Sequence, residues 1–121
     1  MSKIADNIDS ILDTMFPRLS APRITKEIYI KYKGQQLYFD FYIKELNVYI
    51  EVQGRQHSEF VKHFHGDKEA FQAQKMRDNL KIQYVEEKGH CLVRFNFNER
   101  ITKALVSKKI NKVLEGECFY E

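Results

Sequence analysis

Between residues 26 and 53 the chain alternates apolar and polar side chains three times in succession, with only short stretches between the runs. KEIYIKYK (26–33) sets Ile28, Ile30 and Tyr32 against Glu27, Lys31 and Lys33. LYFDFYI (37–43) sets Leu37, Phe39, Phe41 and Ile43 on one side, and VYIEVQ (48–53) does the same with Val48, Ile50 and Val52. A period of two marks a strand with one face on a core. The linkers, Lys33 to Gln36 and Lys44 to Asn47, are long enough only for reversals. An antiparallel three-stranded meander is therefore predicted, and the rest of the chain must be packed around it.

The flanks read as helices and one more strand. Ile4, Ile8, Ile11, Leu12 and Met15 have helical spacing, with Ser2 as N-cap and Pro17 as the stop. After Gly54, residues 55–66 show neither period. Asp67 then caps a helix running to about Lys88, with Gly89 closing it. CLVRFNF (91–97) reads as a fourth strand, and Ile101, Leu105, Ile110, Val113 and Leu114 as the apolar positions of a last helix. The predicted order is αβββαβα. The strand–helix–strand unit makes the third and fourth strands parallel through a right-handed crossover. The expectation is a mixed α/β (α+β) fold, a four-stranded mixed sheet flanked by helices. It forms one domain over 1–121: an N-terminal helix at 1–16, a core at 26–97 and a C-terminal helix at 100–114.

Composition supports a packed domain and excludes several classes. Nine Phe and seven Tyr among 121 residues supply a core, unlike a disordered chain. No apolar run reaches the ~18–20 residues of a membrane span, and the scattered charges of the first ten residues do not read as a signal peptide. Two cysteines make no disulfide framework, so reduced thiols in a cytoplasmic protein are expected. Twenty basic against seventeen acidic side chains give a net charge of +3, too balanced to announce a polyanion partner by itself. The exception is 100–112, where Arg100, Lys103, Lys108, Lys109 and Lys112 occur without an acid.

Three polar features do not fit a simple core. By strand parity, Asp40, Glu51 and Gln53 share the face opposite Phe39, Phe41, Ile50 and Val52. Either that face is solvated, or two carboxylates meet in partly dry surroundings and repel unless a cation intervenes. A divalent ion is the economical solution, since Mg²⁺ commonly takes one or two carboxylates plus water and phosphate oxygens. The unpatterned loop after Gln53 carries Arg55, Gln56 and His57 at once, and unstructured loops of ~12 residues or more are usually functional. In the helix that follows, Ala73, Met76, Leu80 and Tyr84 form an apolar stripe, while Lys75 and Asp78 fall in line with a second stripe of Phe71, Ile82 and Val85. His57, His63, His65 and Cys91 match no zinc spacing.

FDFYI, five residues, then YIEVQGRQH, followed by FQAQKMRDNLKIQYVEEKGHCLVRF, resembles the PD-(D/E)XK nuclease superfamily. Within it the chain looks like the branch of very-short-patch repair endonucleases and the related EDxHD phage homing endonucleases. The resemblance spans about 37–99 and implies a restriction-endonuclease-like core. It implies that Asp40 is a metal ligand and that Glu51 holds the second acid position. Gln53 stands where most members have lysine, with Lys75 as the stand-in. His57 matches the histidine beside the attacking water, and Asp78 the acid of the following helix. The acid that the branch takes from its N-terminal helix is open among Asp6, Asp9 and Glu27.

The chemistry of the residues agrees with that resemblance. Phosphodiester hydrolysis needs an activated water and neutralised phosphoryl oxygens, which a metal on Asp40 and Glu51 would supply. An unperturbed histidine has a pKa near ~6.5, so His57 is the expected acceptor of the water proton. The expected protein is a cytoplasmic, phage homing-type DNA endonuclease using Mg²⁺, with Mn²⁺ as a substitute. Its partner is double-stranded DNA, with no membrane, held by Arg23, Arg55, Lys75, Lys103, Lys108, Lys109 and Lys112. A homodimer is one way to cut both strands. The alternatives are a structure-selective nuclease for mismatches or Holliday junctions, and a catalytically inactive DNA-binding module with the same fold.

Overall fold

The computed structural model describes residues 3–16, 24–54 and 68–121. Along the chain these form α1 (Lys3–Met15), β1 (Ile24–Tyr32), β2 (Gln35–Ile43), β3 (Val48–Gln53), α2 (Lys68–Lys88), β4 (Cys91–Asn96), α3 (Lys103–Leu114) and β5 (Phe119–Tyr120). The protein is a mixed α/β fold: a five-stranded mixed sheet in the order β1-β2-β3-β4-β5, with helices on both faces. The β1/β2 and β2/β3 pairs are antiparallel, as the meander requires, and β3/β4 is parallel. The fifth strand corrects the four-stranded expectation. Phe119–Tyr120 pairs parallel to Leu92–Val93, and two residues are too few to show a period.

Turn chemistry sets the register. Lys33 (φ 49°) and Gly34 (φ 76°) both lie in the left-handed region, the two-residue turn whose twist matches a hairpin. Tyr32 therefore pairs directly with Gln35. The helix α2 ends at Gly89 (φ 71°), and the His90 N–H reaches back to the Val85 carbonyl at 2.7 Å. Thr102 caps α3, its side chain accepting from the Leu105 N–H at 3.1 Å.

Two cores lie on opposite faces of the sheet. On one, α1 (Ala5, Ile8, Leu12) and α3 (Val106, Ile110, Val113) cover Phe41, Ile43, Val48, Ile50, Val93 and Phe95. On the other, Val85 of α2 packs with Leu37, Phe39, Tyr49 and Leu92. Leu37 and Phe39 thus serve one face, while Phe41 and Ile43 serve the other. This corrects the single apolar face read from alternation. The break has a matching partner in β1, where Ile24 joins the first core and Ile28, Ile30 and Tyr32 join the second. Ladder pairing runs from Ile24↔Ile43 to Tyr32↔Gln35 and is interrupted at Glu27 and Asp40. Glu27 has φ 53°, a left-handed conformation that a side chain with a Cβ adopts at a cost. The hairpin switches faces there, and the switch sets Asp40 at the seam between the two cores. Among the described residues no helix is long and apolar enough to cross a membrane.

Candidate active site

Parallel pairing brings Glu51 beside Arg94 and Gln53 beside Asn96. Parity puts Glu51 and Gln53 on the side of Tyr49, facing α2, and the buried stripe of that helix is Asp78, Lys81 and Val85. Two of those three are charged, which is why α2 shows no clean apolar face. Glu51, only 2% exposed, receives the Lys81 ammonium on Oε1 and the Arg94 Nε at 2.8 Å on Oε2. Arg94 also donates from Nη2 to the Asp78 carbonyl at 3.2 Å. Gln53 Nε2 donates to Asp78 Oδ2 at 3.3 Å. The guanidinium carbon of Arg94 lies 4.9 Å from the centre of the Phe119 ring, and Lys81 Nζ lies 5.6 Å from that of Phe39.

Asp40 completes the cluster from the hairpin. Its Oδ2 accepts the Val52 N–H at 2.8 Å, a bond the β2/β3 ladder would otherwise supply from backbone. Its Oδ1 accepts the Tyr38 hydroxyl at 3.1 Å. Burial raises the Asp40 carboxyl above its ordinary value, and the neighbouring Glu51 pushes the same way. The Val52 and Tyr38 hydrogen bonds and the more distant Lys81 charge oppose that rise. Among the described residues Asp40 makes no direct contact with a cation.

The donor set can be tested against a divalent ion. No group of three or more His, Cys, Asp or Glu side chains is arranged around a common point among the described residues. Of the three carboxylates in the cluster, Asp78 is engaged by Gln53, and Asp40 and Glu51 are the neighbouring pair, a number with which Mg²⁺ completes its shell from water and phosphate oxygens. Asp40 is buried, accepts from the Val52 N–H and the Tyr38 hydroxyl, and neighbours Glu51. Glu51 is already balanced by Lys81 and Arg94 and has only its remaining lone pairs to offer. Asp40, with Glu51 beside it, is the side chain here that could hold such an ion.

The structure brings Asp40, Glu51, Gln53 and Asp78 together and leaves Lys75 out. Lys75 Nζ lies 5.6 Å from the centre of the Phe71 ring. The lysine that reaches Glu51 is Lys81, on the buried stripe with Asp78 and Val85, while Lys75 lies about 120° away around the helix. Sequence reasoning missed both Lys81 and Arg94. A signal existed for each: Lys81 follows Asp78 by three residues, and Arg94 is a lone charge between Val93 and Phe95. Arg23, Arg55 and His57 lie outside the described residues, as do His63 and His65. Of the open acids, Asp6 is exposed and Asp9 is bound to Lys26 at 2.8 Å on the α1 side. Glu27 lies at the face switch, near enough to raise the Tyr38 hydroxyl.

The basic helix also needs correction. Lys109 is 2% exposed, donates to the Arg94 carbonyl at 2.8 Å and to Glu99 Oε1 at 2.7 Å, and so cannot reach a DNA backbone. Lys103 and Lys108 are exposed and Lys112 is half-buried. Neutralising Lys103, Lys108 and Lys112 together is expected to flatten the log–log salt dependence of duplex binding by up to about 2.7 units, about 0.9 per phosphate contact. Lys109→Met is expected to leave that slope unchanged. Titrations from 50 to 300 mM NaCl check both, and an unchanged slope in the triple variant makes this helix a solvated face.

No family model and no solved structure matches the chain. It is similar to Uncharacterized protein 307L of Invertebrate iridescent virus 6, with 39% identity over 57 residues. The match covers 47% of this chain and 29% of the viral protein, so the chain spans under a third of that relative's length.

Proposed function

We propose that this chain is a divalent-metal-dependent DNA endonuclease that hydrolyses phosphodiester bonds through a restriction-endonuclease-like core. One observation carries the reading. Asp40, Glu51, Gln53, Asp78, Lys81 and Arg94, each less than a tenth exposed, converge on one place at the carboxyl end of β3. Ionised groups withdrawn from water cost several kcal/mol each, and a purely structural core is often as stable with apolar residues in their stead. Ligands of open α/β sheets also gather beyond the carboxyl ends of parallel strands.

Each residue then has a task. Asp40, with Glu51 beside it, would hold the cation, which supplies charge neutralisation on the phosphoryl oxygens when bound. Arg94 fixes Glu51 from the sheet side. Lys81 spends one of its three N–H donors on Glu51 and has others to offer a phosphoryl or leaving oxygen. Gln53 holds Asp78 in place but cannot accept a proton near neutral pH. His57, four residues beyond Gln53 in sequence, takes that role. It removes the proton from the attacking water as the water oxygen bonds to phosphorus and the bond to the leaving oxygen breaks.

The test is relaxation of supercoiled plasmid in Mg²⁺, in Mn²⁺ and in EDTA, with metal-dependent nicking or linearisation as the expected result. Matched duplex, mismatched and four-way-junction DNA then separate a homing-type enzyme from a structure-selective one. His57→Ala is expected to slow single-turnover cleavage by about 100-fold, within the range of general-base catalysis, with DNA affinity little changed. The variant should also lose the fall in rate that the wild type shows as pH drops through the histidine range. A variant within a few-fold of wild type from pH 6 to 8 removes the histidine from the mechanism. The bridging of both Glu51 oxygens by cations favours a second reading, a DNA-binding module without activity. DNA binding with no cleavage in either metal would establish it.

A further inference from the structure

Beyond the face switch at Glu27 and Asp40, the described residues place a helix on one side only of the β1–β2 hairpin. Ile28, Ile30, Tyr32, Leu37 and Phe39 turn toward α2. The core under α1 and α3 takes nothing from β2 before Phe41. The opposite side of this half of the hairpin therefore carries Tyr29, Lys31, Gln36 and Tyr38, paired as Tyr29↔Tyr38 and Lys31↔Gln36. Tyr29 is 63% exposed, the most open large hydrophobic side chain among the described residues. Its ring centre lies 5.1 Å from that of Tyr38, with the planes tilted by 53°. Beside it a groove of about 320 Å³ is lined by Tyr29, Ile30, Lys31 and Gln36, without an acid.

This strip connects directly to the candidate active site. The Tyr38 hydroxyl donates to Asp40 Oδ1 at 3.1 Å, so the inner ring of the aromatic pair touches the principal carboxylate. The spacing from Tyr38 to Asp40 along β2 is two residues, about 7 Å. Glu27, the next acid after Asp40, sits at the Asp40 end, where a cation rather than a phosphate is wanted.

We infer that the outer face of the β1–β2 hairpin is a stacking surface for unpaired bases of a DNA strand, next to the phosphate that is cut. The inference rests on the nuclease reading for its second half and on the surface itself for the first. Aromatic rings bind any base by its π-face, and Lys31 supplies a cation for the adjoining phosphate. A paired duplex hides those π-faces within its own stack and is held mainly by arrays of cations on its phosphates. Among the described residues Lys31 is the cation beside the two rings, since Lys33 is drawn off to Gln83 Oε1 at 3.2 Å. The strip thus suits a single strand, a gap or a flipped mismatch better than an intact helix.

The experiment uses the full chain in EDTA, so that binding is read without cleavage. Fluorescein-labelled oligothymidylate, a gapped duplex and a fully paired duplex are titrated with wild type, Tyr29→Ala and Tyr29→Phe. Tyr29→Ala is expected to weaken binding to the single strand and the gap by about 5- to 150-fold, the range for one lost base–aromatic stack. Its effect on the paired duplex should be less than about two-fold, and Tyr29→Phe should bind as wild type. Equal loss on paired and unpaired DNA, no loss on the single strand, or no single-strand binding by the wild type overturns the inference. So does a change of sedimentation mass in Tyr29→Ala, which would assign this face to a second copy of the chain. If the wild type fails to nick DNA while Tyr29-dependent binding persists, the nuclease reading falls and the stacking surface stands. If it nicks while Tyr29→Ala binds the single strand normally, the stacking surface alone falls.

Discussion

Asp40→Asn is expected to abolish metal-dependent cleavage, by at least about 10³-fold, while leaving the protein as stable as the wild type or more so at pH 7. The two effects have one cause. Burial and the neighbouring Glu51 raise the Asp40 carboxyl above its ordinary 3.8, so the folded state favours the protonated acid. The stability that results is fully present below that ordinary value and is lost as pH rises through the raised one. At pH 7 the ionised carboxylate therefore opposes folding, and a neutral amide of the same shape does not. The Asn oxygen can still accept the Val52 N–H, and its NH₂ can donate to the Tyr38 oxygen, which exchanges donor for acceptor. Urea titrations should show the variant's advantage at pH 7 shrinking toward pH 4. Mg²⁺ provides an independent reading. It should raise the melting temperature of the wild type, because a ligand of the native state stabilises it by about 2.7 kcal/mol at 100 times Kd, and should not raise that of the variant. Cleavage by Asp40→Asn at the wild-type rate, or an equal Mg²⁺ shift in both proteins, would remove Asp40 from the metal site.

The sequence made the architecture legible wherever a period ran long enough to count. The meander, the extent of α2 up to Gly89, and the strand from Cys91 all follow from local spacing and turn residues. What local spacing could not show was the face switch. Phe39 and Phe41 differ by two positions, and period two places them together unless the ladder is broken between them. The break depends on Glu27 adopting a positive φ opposite Asp40, across a hairpin, which no residue type announces. Asp40, Glu51 and Gln53 stand out in the sequence because strand parity sets two carboxylates on one sheet face, and Asp78 because it falls in line with an apolar helical stripe. The choice between Lys75 and Lys81 was not legible. They stand six residues apart, about 9 Å along the axis and about 120° around it, and which one meets Glu51 depends on how α2 is rotated and set along β3. Arg94 finds Glu51 only through the register of two strands that lie 43 residues apart in the chain. Lys109 misled for the opposite reason. A lysine in a basic run reads as a solvated cation, and only tertiary packing reveals that Glu99 and the Arg94 carbonyl hold it inside.

Glu51→Gln is expected to destabilise the fold by about 3–5 kcal/mol, the cost of breaking a buried ion pair by removing one partner. The change is small in shape and large in charge. Lys81 and Arg94, 6% and 5% exposed, would be left against a side chain with one acceptor and an NH₂ that faces a donor. For a domain of this size the loss corresponds to a fall of roughly 10–25 °C in melting temperature. The informative comparison is the triple variant Glu51→Leu, Lys81→Met, Arg94→Leu. Replacing a whole buried ion cluster by apolar residues of similar volume is often neutral or stabilising by about 1–4 kcal/mol. The triple variant should therefore be far more stable than Glu51→Gln alone, and as inactive. That pattern would mean that the ions serve something other than the fold, since the fold does as well without them. A Glu51→Gln loss under about 1 kcal/mol would show that the cluster is solvated rather than buried. A triple variant as unstable as the single one would make the ions structural and favour the DNA-binding module without activity. Cleavage surviving in the triple variant would place the active site elsewhere.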